Sequence, residues 1–298
     1  MTPTHFLQLI ILGALWGASF LFIRLSVPEF GPVWLVWSRV LAGALFLLGA
    51  AALLRRALHM QGNVRHFLIL GFLNTALPFF LFSIAAKSLT ASLLSIINST
   101  APLWGVVFGI ALTRKMPGWK TLAGLLAGST GVAILVLRDS AALAADTGWP
   151  VLAAVLAPVC YGLSSHYARL KTTHIEPFAV AHGSMWGAFA CCLPALFFAP
   201  LPAGHFSAIS PGALGAALAL GILCTGLAYL IYFRLIRDIG AASALTVTFL
   251  IPLFGILWGV LFLGEPFTAT TLLGATFVLL GTGLVTGFNP LTLIRRAQ

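Results

Sequence analysis

Ten stretches of roughly twenty apolar residues, separated by gaps too short for much besides a turn, constrain this chain more than any single motif. They fall near residues 5–23, 32–54, 66–86, 90–112, 117–137, 150–168, 177–199, 211–234, 241–263 and 268–288. A helix rises about 1.5 Å per residue, so each stretch can cross the roughly 30 Å hydrocarbon core of a bilayer. Lipid offers the backbone no hydrogen bonds, and a helix satisfies its own. The expected fold is therefore an all-α membrane protein with ten transmembrane helices. Prolines punctuate the gaps at Pro28 and Pro32, Pro117, Pro150, Pro177, Pro200 with Pro202, Pro211 and Pro266. Composition agrees: of 298 residues 60% are hydrophobic and only 7% charged, with a mean hydropathy of +1.06, which excludes an ordinary soluble domain. The first segment carries neither the basic leader nor the cleavage site of a secretory signal, and is expected to be a permanent span.

On a soluble chain a formal net charge of +10 would suggest nucleic acid. Here the cations sit in the gaps. One set of gaps, which includes both chain ends, holds Arg55, Arg56, Arg65, Arg114, Lys115, Lys120, Arg169, Lys171, Arg234, Arg237, Arg295 and Arg296; the other holds Arg24, Lys87 and Arg138. Cytoplasmic loops are enriched in Lys and Arg, so the imbalance places the N and C termini on the cytoplasmic side and argues against a nucleic-acid partner. Trp34, Trp37, Trp119 and Trp149 lie near span ends, where interfacial anchors belong. Cys160, Cys191, Cys192 and Cys224 lie inside apolar runs without metal-site spacing and read as small core residues. No metal and no cofactor is expected.

The chain also repeats itself. A shift of 150 residues brings Gly71, Leu73, Thr75 and Leu77 onto Gly221, Leu223, Thr225 and Leu227, and Pro102, Leu103, Gly105 and Gly109 onto Pro252, Leu253, Gly255 and Gly259. Thr121, Leu122, Gly124 and Gly131 then meet Thr271, Leu272, Gly274 and Gly281, and the first spans match at a shift of 145, WGASFLFIR (16–24) against YGLSSHYAR (161–169). The repeat unit is five helices, residues 1–146 and 147–298, within one integral membrane domain. Because five is odd, the second copy crosses the bilayer in the opposite sense. Two inverted five-helix repeats are the build of many secondary transporters, in which each copy can adopt the other's conformation.

On these residues the chain resembles the drug/metabolite transporter superfamily, in its EamA-like branch, over nearly its whole length. The resemblance is carried by Trp16 and Gly17, Arg39, the entries Ala91, Ser92 and Ala241, Ala242, Ser243, the mid-span prolines with their glycines, and the ending Gly264, Glu265 before a Gly-rich last span. The first copy departs from the pattern, with Thr113, Arg114 and Lys115 where Gly-Glu is expected. The resemblance implies export of amino acids, amphiphilic drugs or other metabolites, some relatives carrying sugars or nucleotide sugars, across a bacterial cytoplasmic membrane. The aromatic richness is most similar to that of aromatic amino-acid exporters.

Polar groups inside lipid mark either packing contacts or a cavity. Ser19, Asn74, Ser95, Asn98, Tyr161, Ser164, Ser165, Tyr229, Thr246 and Thr248 gather on spans one, three, four, six, eight and nine, with His182 on span seven. A single hydroxyl can bond its own helix, so the expectation of a shared midplane cavity rests on the pattern across helices. Asn74 and Asn98 stand out, since a buried amide needs partners that a substrate could supply. Trp16, Phe79, Trp104, Tyr161, Tyr229 and Trp258 would give an aromatic substrate a stackable wall, and Pro78, Pro102 and Pro252 could bend helices around it. Arg39 could snorkel, bond carbonyls or attract a substrate carboxylate. His166 reads as interfacial. Glycine pairs four apart (Gly13 and Gly17, Gly105 and Gly109, Gly124 and Gly128, Gly183 and Gly187, Gly255 and Gly259) permit close helix packing, and spans five and ten are expected to be scaffold or homodimer surface.

Glu29, Asp139, Asp146, Glu176, Asp238 and Glu265 all fall at or beyond span ends, which argues for facilitated efflux or for coupling without a buried acid. No Walker A spacing exists, and GLSSH (162–166) is not the GxSxG of a hydrolase. The expected function is a carrier of a small molecule, embedded in lipid, rather than an enzyme; a passive pore is the rival.

Overall fold

The computed structural model describes residues 3–56, 61–114, 116–142, 148–199, 209–239 and 244–286. Lys115, Asp146, Pro200, Pro202, Ala241 to Ser243, Arg295 and Arg296, and the boundary expected between residues 146 and 147, lie outside the described residues. Every regular element among the described residues is helical.

The first element, α1 (Pro3–Leu53), is 51 residues long. Straight, it would extend about 76 Å, more than twice a hydrocarbon core. It breaks into two limbs at Gly31, whose φ of 69° and ψ of 162° are closed to side chains with a Cβ, between Pro28 and Pro32. Then come α2 (Val64–Gly71), a π-helical turn (Phe72–Ala76) and α3 (Leu77–Ala85); α4 (Ala91–Asn98) and α5 (Ala101–Thr113); α6 (Trp119–Ala142); α7 (Gly148–Lys171); and α8 (Pro177–Phe197). After α9 (Pro211–Gly221) a second π-helical turn (Ile222–Leu227) leads into α10 (Ala228–Ile239), then α11 (Val247–Leu263) and α12 (Ala269–Thr286). Among the described residues, six helical runs are long and apolar enough to cross a membrane. Leu126, Phe197, Phe198, Phe262 and Leu280 turn large apolar side chains outward, as a chain solvated by lipid does.

Glycines set how the helices meet. A Cβ on Gly17 would lie 2.7 Å from Phe254 Cβ and 2.9 Å from the Gly255 amide; one on Gly162 would lie 2.8 Å from Trp104 Cβ and 2.9 Å from the Gly105 amide. The α1–α11 contact is thus remade by α7 and α5, with residues offset by 145 and 150. Likewise Gly71 meets the backbone of α8 at Ser184, Gly187 and Ala188, and Gly221 meets the second limb of α1 at Arg39 and Ala42. The glycines of α6 and α12 pack against each other: Gly124 faces the Gly281 carbonyl and Gly131 the Gly274 carbonyl.

Within the segment INSTAP (97–102), Ser99 and Thr100 separate α4 from α5. Pro102 has no N–H to offer the Asn98 carbonyl, while the Ser99 and Thr100 hydroxyls donate to the carbonyls of Ile96 and Ile97, both at 2.7 Å. The helical ladder is interrupted on both counts. From α12, Thr282 donates to the Ser99 carbonyl at 3.1 Å and braces the break. In the second half Phe249 and Leu250 replace the hydroxyl pair, and α11 runs unbroken through Pro252.

Candidate functional site

The two π-helical turns place polar side chains in the protein interior. Each adds a residue to the turn and so rotates the helix beyond it; Asn74 and Thr75 lie on the first, Cys224 and Thr225 on the second. Between them stands Arg39, only 6% exposed, on the second limb of α1. Its Nε donates to Thr225 Oγ1 at 3.0 Å, and Thr225 in turn donates to the Leu220 carbonyl at 2.9 Å. The guanidinium carbon lies 3.5 Å from the centre of the Phe79 ring, a cation–π contact. Tyr161, Cys224 and Tyr229 are within electrostatic reach. Tyr161 and Tyr229 are half-buried. Ser19 Oγ, beside Cys224, and Thr75 Oγ1, beside Tyr229, are both buried.

Of the residues singled out in the sequence, the fold gathers Ser19, Phe79, Tyr161 and Tyr229 around Arg39. Asn74 Oδ1 accepts from Ser164 at 2.8 Å, joining α7 to the first π turn. Trp16 packs on Tyr232, ring centres 5.2 Å apart. Asn98 ends α4 half-buried, with no hydrogen bond from its amide among the described residues. Trp104 lies at the α5–α7 crossing over Gly162. The others stand apart. Ser95 donates to the Ser92 carbonyl and fills the space above Gly255; Ser165, exposed, donates to the Gly162 carbonyl; Thr248 donates to the Leu245 carbonyl. Thr246 precedes α11. His182 is buried on α8 between Phe178 and Trp186, and Trp258 donates to the Ala14 carbonyl at 3.1 Å. Trp119 and Trp149 are exposed, whereas Trp34 and Trp37 pack toward α8, Trp37 lying 5.9 Å from Phe189.

Glu265 stands just past the end of α11, as expected, yet it is buried. It is 8% exposed and reaches from the end of α11 to the start of α4, where it accepts from the Ala91 amide at 2.6 Å, the Ser92 amide at 2.9 Å and the Ser92 hydroxyl at 2.5 Å. Thr90 caps the Leu93 amide, and the Leu94 amide donates to the Thr90 carbonyl, so the whole first turn of α4 is satisfied. Gly259 is needed beside this carboxylate, because a Cβ there would collide with it.

Sequence reasoning named Arg39 without choosing among its roles and did not find Thr225, Cys224 or Glu265 as partners. The one available signal was the recurrence of Thr75 as Thr225 within the aligned glycine pattern.

A lipid-facing helical shell around a buried cation and hydroxyls defines a multi-pass membrane protein with an internal polar site. The profile of the EamA-like transporter family matches residues 5–137 and 148–287. The chain belongs to that family, whose members are transporters rather than enzymes. It is 26% identical to an uncharacterized transporter of Archaeoglobus fulgidus over 96% of this chain and 98% of the relative. It is 22% identical to a probable terminal-alkyne amino-acid exporter of Streptantibioticus cattleyicolor, over 95% of this chain and 92% of that one. With an S-adenosylmethionine/S-adenosylhomocysteine transporter of Chlamydia trachomatis it shares 23% identity over 93% and 88%. A protein of known crystal structure has the same fold, with a TM-score of 0.66 and 17% identity over 100% of both chains. General membrane transport of a small molecule is established by these relationships.

Proposed function

We propose that the protein is a secondary transporter exporting small amphiphilic metabolites, foremost aromatic or hydrophobic amino acids, by alternating access. Its cavity would lie between two inverted five-helix repeats, residues 1–146 and 147–298, in a bacterial cytoplasmic membrane with both termini in the cytoplasm. The observation that carries the reading is the repeated packing: Gly17 on α11 as Gly162 on α5, and Gly71 on α8 as Gly221 on α1. Halves built on equivalent contacts can exchange conformations at little difference in free energy, which is what alternating access requires. The two separate stretches matched by the family profile support the same division.

The wall of Phe79, Tyr161 and Tyr229, with Trp16 against Tyr232, supports an aromatic or apolar cargo. Arg39 disfavours cationic amphiphiles: at about 4 Å a second positive charge is repelled by about 4 kcal/mol even at an effective dielectric constant near 20. The bilayer is the protein's solvent, and α6 with α12 serves as scaffold.

Reconstituted protein loaded with unlabelled phenylalanine should accelerate uptake of labelled phenylalanine, and the rate should saturate. Linear, non-saturable leak without counterflow would refute the carrier in favour of a pore, and recovery of chemically altered substrate would point to an enzyme.

A further inference from the structure

We propose that Arg39 is the anchor for a substrate carboxylate, restricting the cargo to compounds that join a carboxylate to an apolar or aromatic body. The inference deepens the carrier reading and rests on it for the existence of a transported substrate.

A guanidinium carries five N–H donors. Here Nε is used by Thr225, and the two terminal nitrogens have no hydrogen-bond partner among the described residues. They belong to a residue that is only 6% exposed.

The charge is also unbalanced. Each carboxylate whose side chain is described is engaged elsewhere: Glu29 with Ser210, Glu176 with Arg56, Asp238 with Arg237, and Glu265 with Ala91 and Ser92. Protein burial of an unpaired cation is costly unless a counter-charge arrives. Snorkelling does not relieve it. Arg39 lies eight residues past Gly31, about 12 Å of helix, and its head is tied inward to Thr225 rather than extended toward the membrane surface.

Geometry narrows the counter-charge to a planar anion. Phe79 covers one face of the guanidinium and Thr225 takes Nε, leaving the terminal edge, whose paired donors match the two oxygens of a carboxylate. The buried hydroxyls of Ser19 and Thr75 lie in the same neighbourhood, beside Cys224 and Tyr229. Tyr161 and Tyr229 supply the apolar wall beside it. The second half has Ser184 at the position 145 residues after Arg39, so the cation belongs to one half alone and gives a bound substrate one orientation.

Three probes separate carboxylate recognition from ring recognition: phenylalanine; its carboxamide, with the same ring and ammonium; and 3-phenylpropanoate, with ring and carboxylate only. Binding is read by tryptophan fluorescence and by ligand-induced thermal stabilisation, and flux by counterflow. Wild-type protein should bind both carboxylates at least tenfold more tightly than the amide, a ratio equal to about 1.4 kcal/mol. Arg39→Met should abolish that preference with the melting temperature preserved. If Arg39→Met does not fold, the wild-type comparison decides, together with Thr225→Val, which frees Nε and should weaken carboxylate binding while leaving amide binding unchanged. Equal binding of acid and amide by the wild type, no binding of either carboxylate, or an intact preference in folded Arg39→Met overturns the proposal. Acid-selective binding without counterflow leaves the Arg39 site standing and overturns the carrier; counterflow without acid preference does the reverse.

Discussion

Glu265 should behave as a structural clamp whose loss is measurable without knowing any substrate. It accepts two amide N–H bonds and one hydroxyl bond at the start of α4. Hydrogen bonds to a charged acceptor contribute about 1.5–3 kcal/mol each in mutational series, and a carboxylate at a helix N-terminus gains up to about 1 kcal/mol from the helix dipole. Glu265→Gln keeps the volume and one acceptor oxygen but turns an NH2 group toward an N–H donor, so about 2 kcal/mol should be lost. Glu265→Ala strands the Ala91 and Ser92 amides in a buried junction, and the cost should rise to about 3–5 kcal/mol. In a chain of this size 1 kcal/mol moves the unfolding midpoint by about 2 °C, giving decreases of about 4 °C and about 6–10 °C. Cys192 and Cys224 are buried, so a thiol-reactive dye reports unfolding in detergent directly. Glu265→Asp, one methylene short of the α4 amides, should fall between wild type and alanine. Midpoints for all three variants within about 1 °C of wild type would refute the clamp.

Three further outcomes rest on local geometry. Gly71→Ala should lower stability by more than about 2 kcal/mol, because the new methyl meets α8 backbone, whereas Gly49→Ala, with nothing within 4 Å, should raise it by about 0.5–1 kcal/mol; paired melting curves check both. Arg114 occupies a left-handed C-cap at φ 54°, as Gly264 does at φ 63°, so Arg114→Gly should stabilise by about 0.5–1 kcal/mol in the same assay. Glu29 is held below the usual glutamate range by the Ser210 backbone N–H and then by the Ser210 hydroxyl. Its folded-state value is depressed, so its contribution is complete above the ordinary value of about 4.3 and disappears as pH falls through the lowered one. Wild type and Glu29→Gln should differ at neutral pH and converge in acid; parallel curves down to about pH 2 would contradict the linkage.

How much of this was legible in the sequence depended on the kind of contact. Helix crossings at Gly17, Gly71, Gly162 and Gly221 need only a missing side chain at a fixed place, so their recurrence at offsets of 145 and 150 could be read directly. The break in INSTAP was half legible: Pro102 announced it, but that Ser99 and Thr100 would back-bond and Thr282 brace the gap required knowing which helix lay alongside. Arg39 with Thr225 and Glu265 with Ala91 join residues 186 and 174 apart, and no periodicity encodes such pairs. That Glu265, just past its span end, would be buried against α4 was not legible, because hydropathy measures its own span and is blind to a neighbouring helix whose first amides need an acceptor.

The two halves stop being copies at a few definite places. Glycine contacts repeat, whereas Arg39 faces Ser184 in the alignment, Ser99 and Thr100 face Phe249 and Leu250, and the Gly264–Glu265 ending faces Arg114 and Lys115. A symmetric frame alone would favour neither of its two conformations and bind a substrate in two equivalent orientations. Each departure removes one of those equivalences: Arg39 orients an anion, the α4–α5 break loosens one span while α11 stays continuous, and Glu265 ties the start of α4 to the end of α11. In the proposed orientation, with both termini cytoplasmic, that junction would lie at the outer face, and weakening it should favour opening there. Glu265→Gln, at a loss of about 2 kcal/mol, would shift such an equilibrium about 30-fold if the clamp is absent from the outward-open state. A cysteine placed at Leu93, whose side chain is buried and takes no part in the clamp, should then react faster with a membrane-impermeant thiol reagent in the Glu265→Gln background than with Glu265 intact, and an unchanged rate would show that the clamp holds α4 together without gating it.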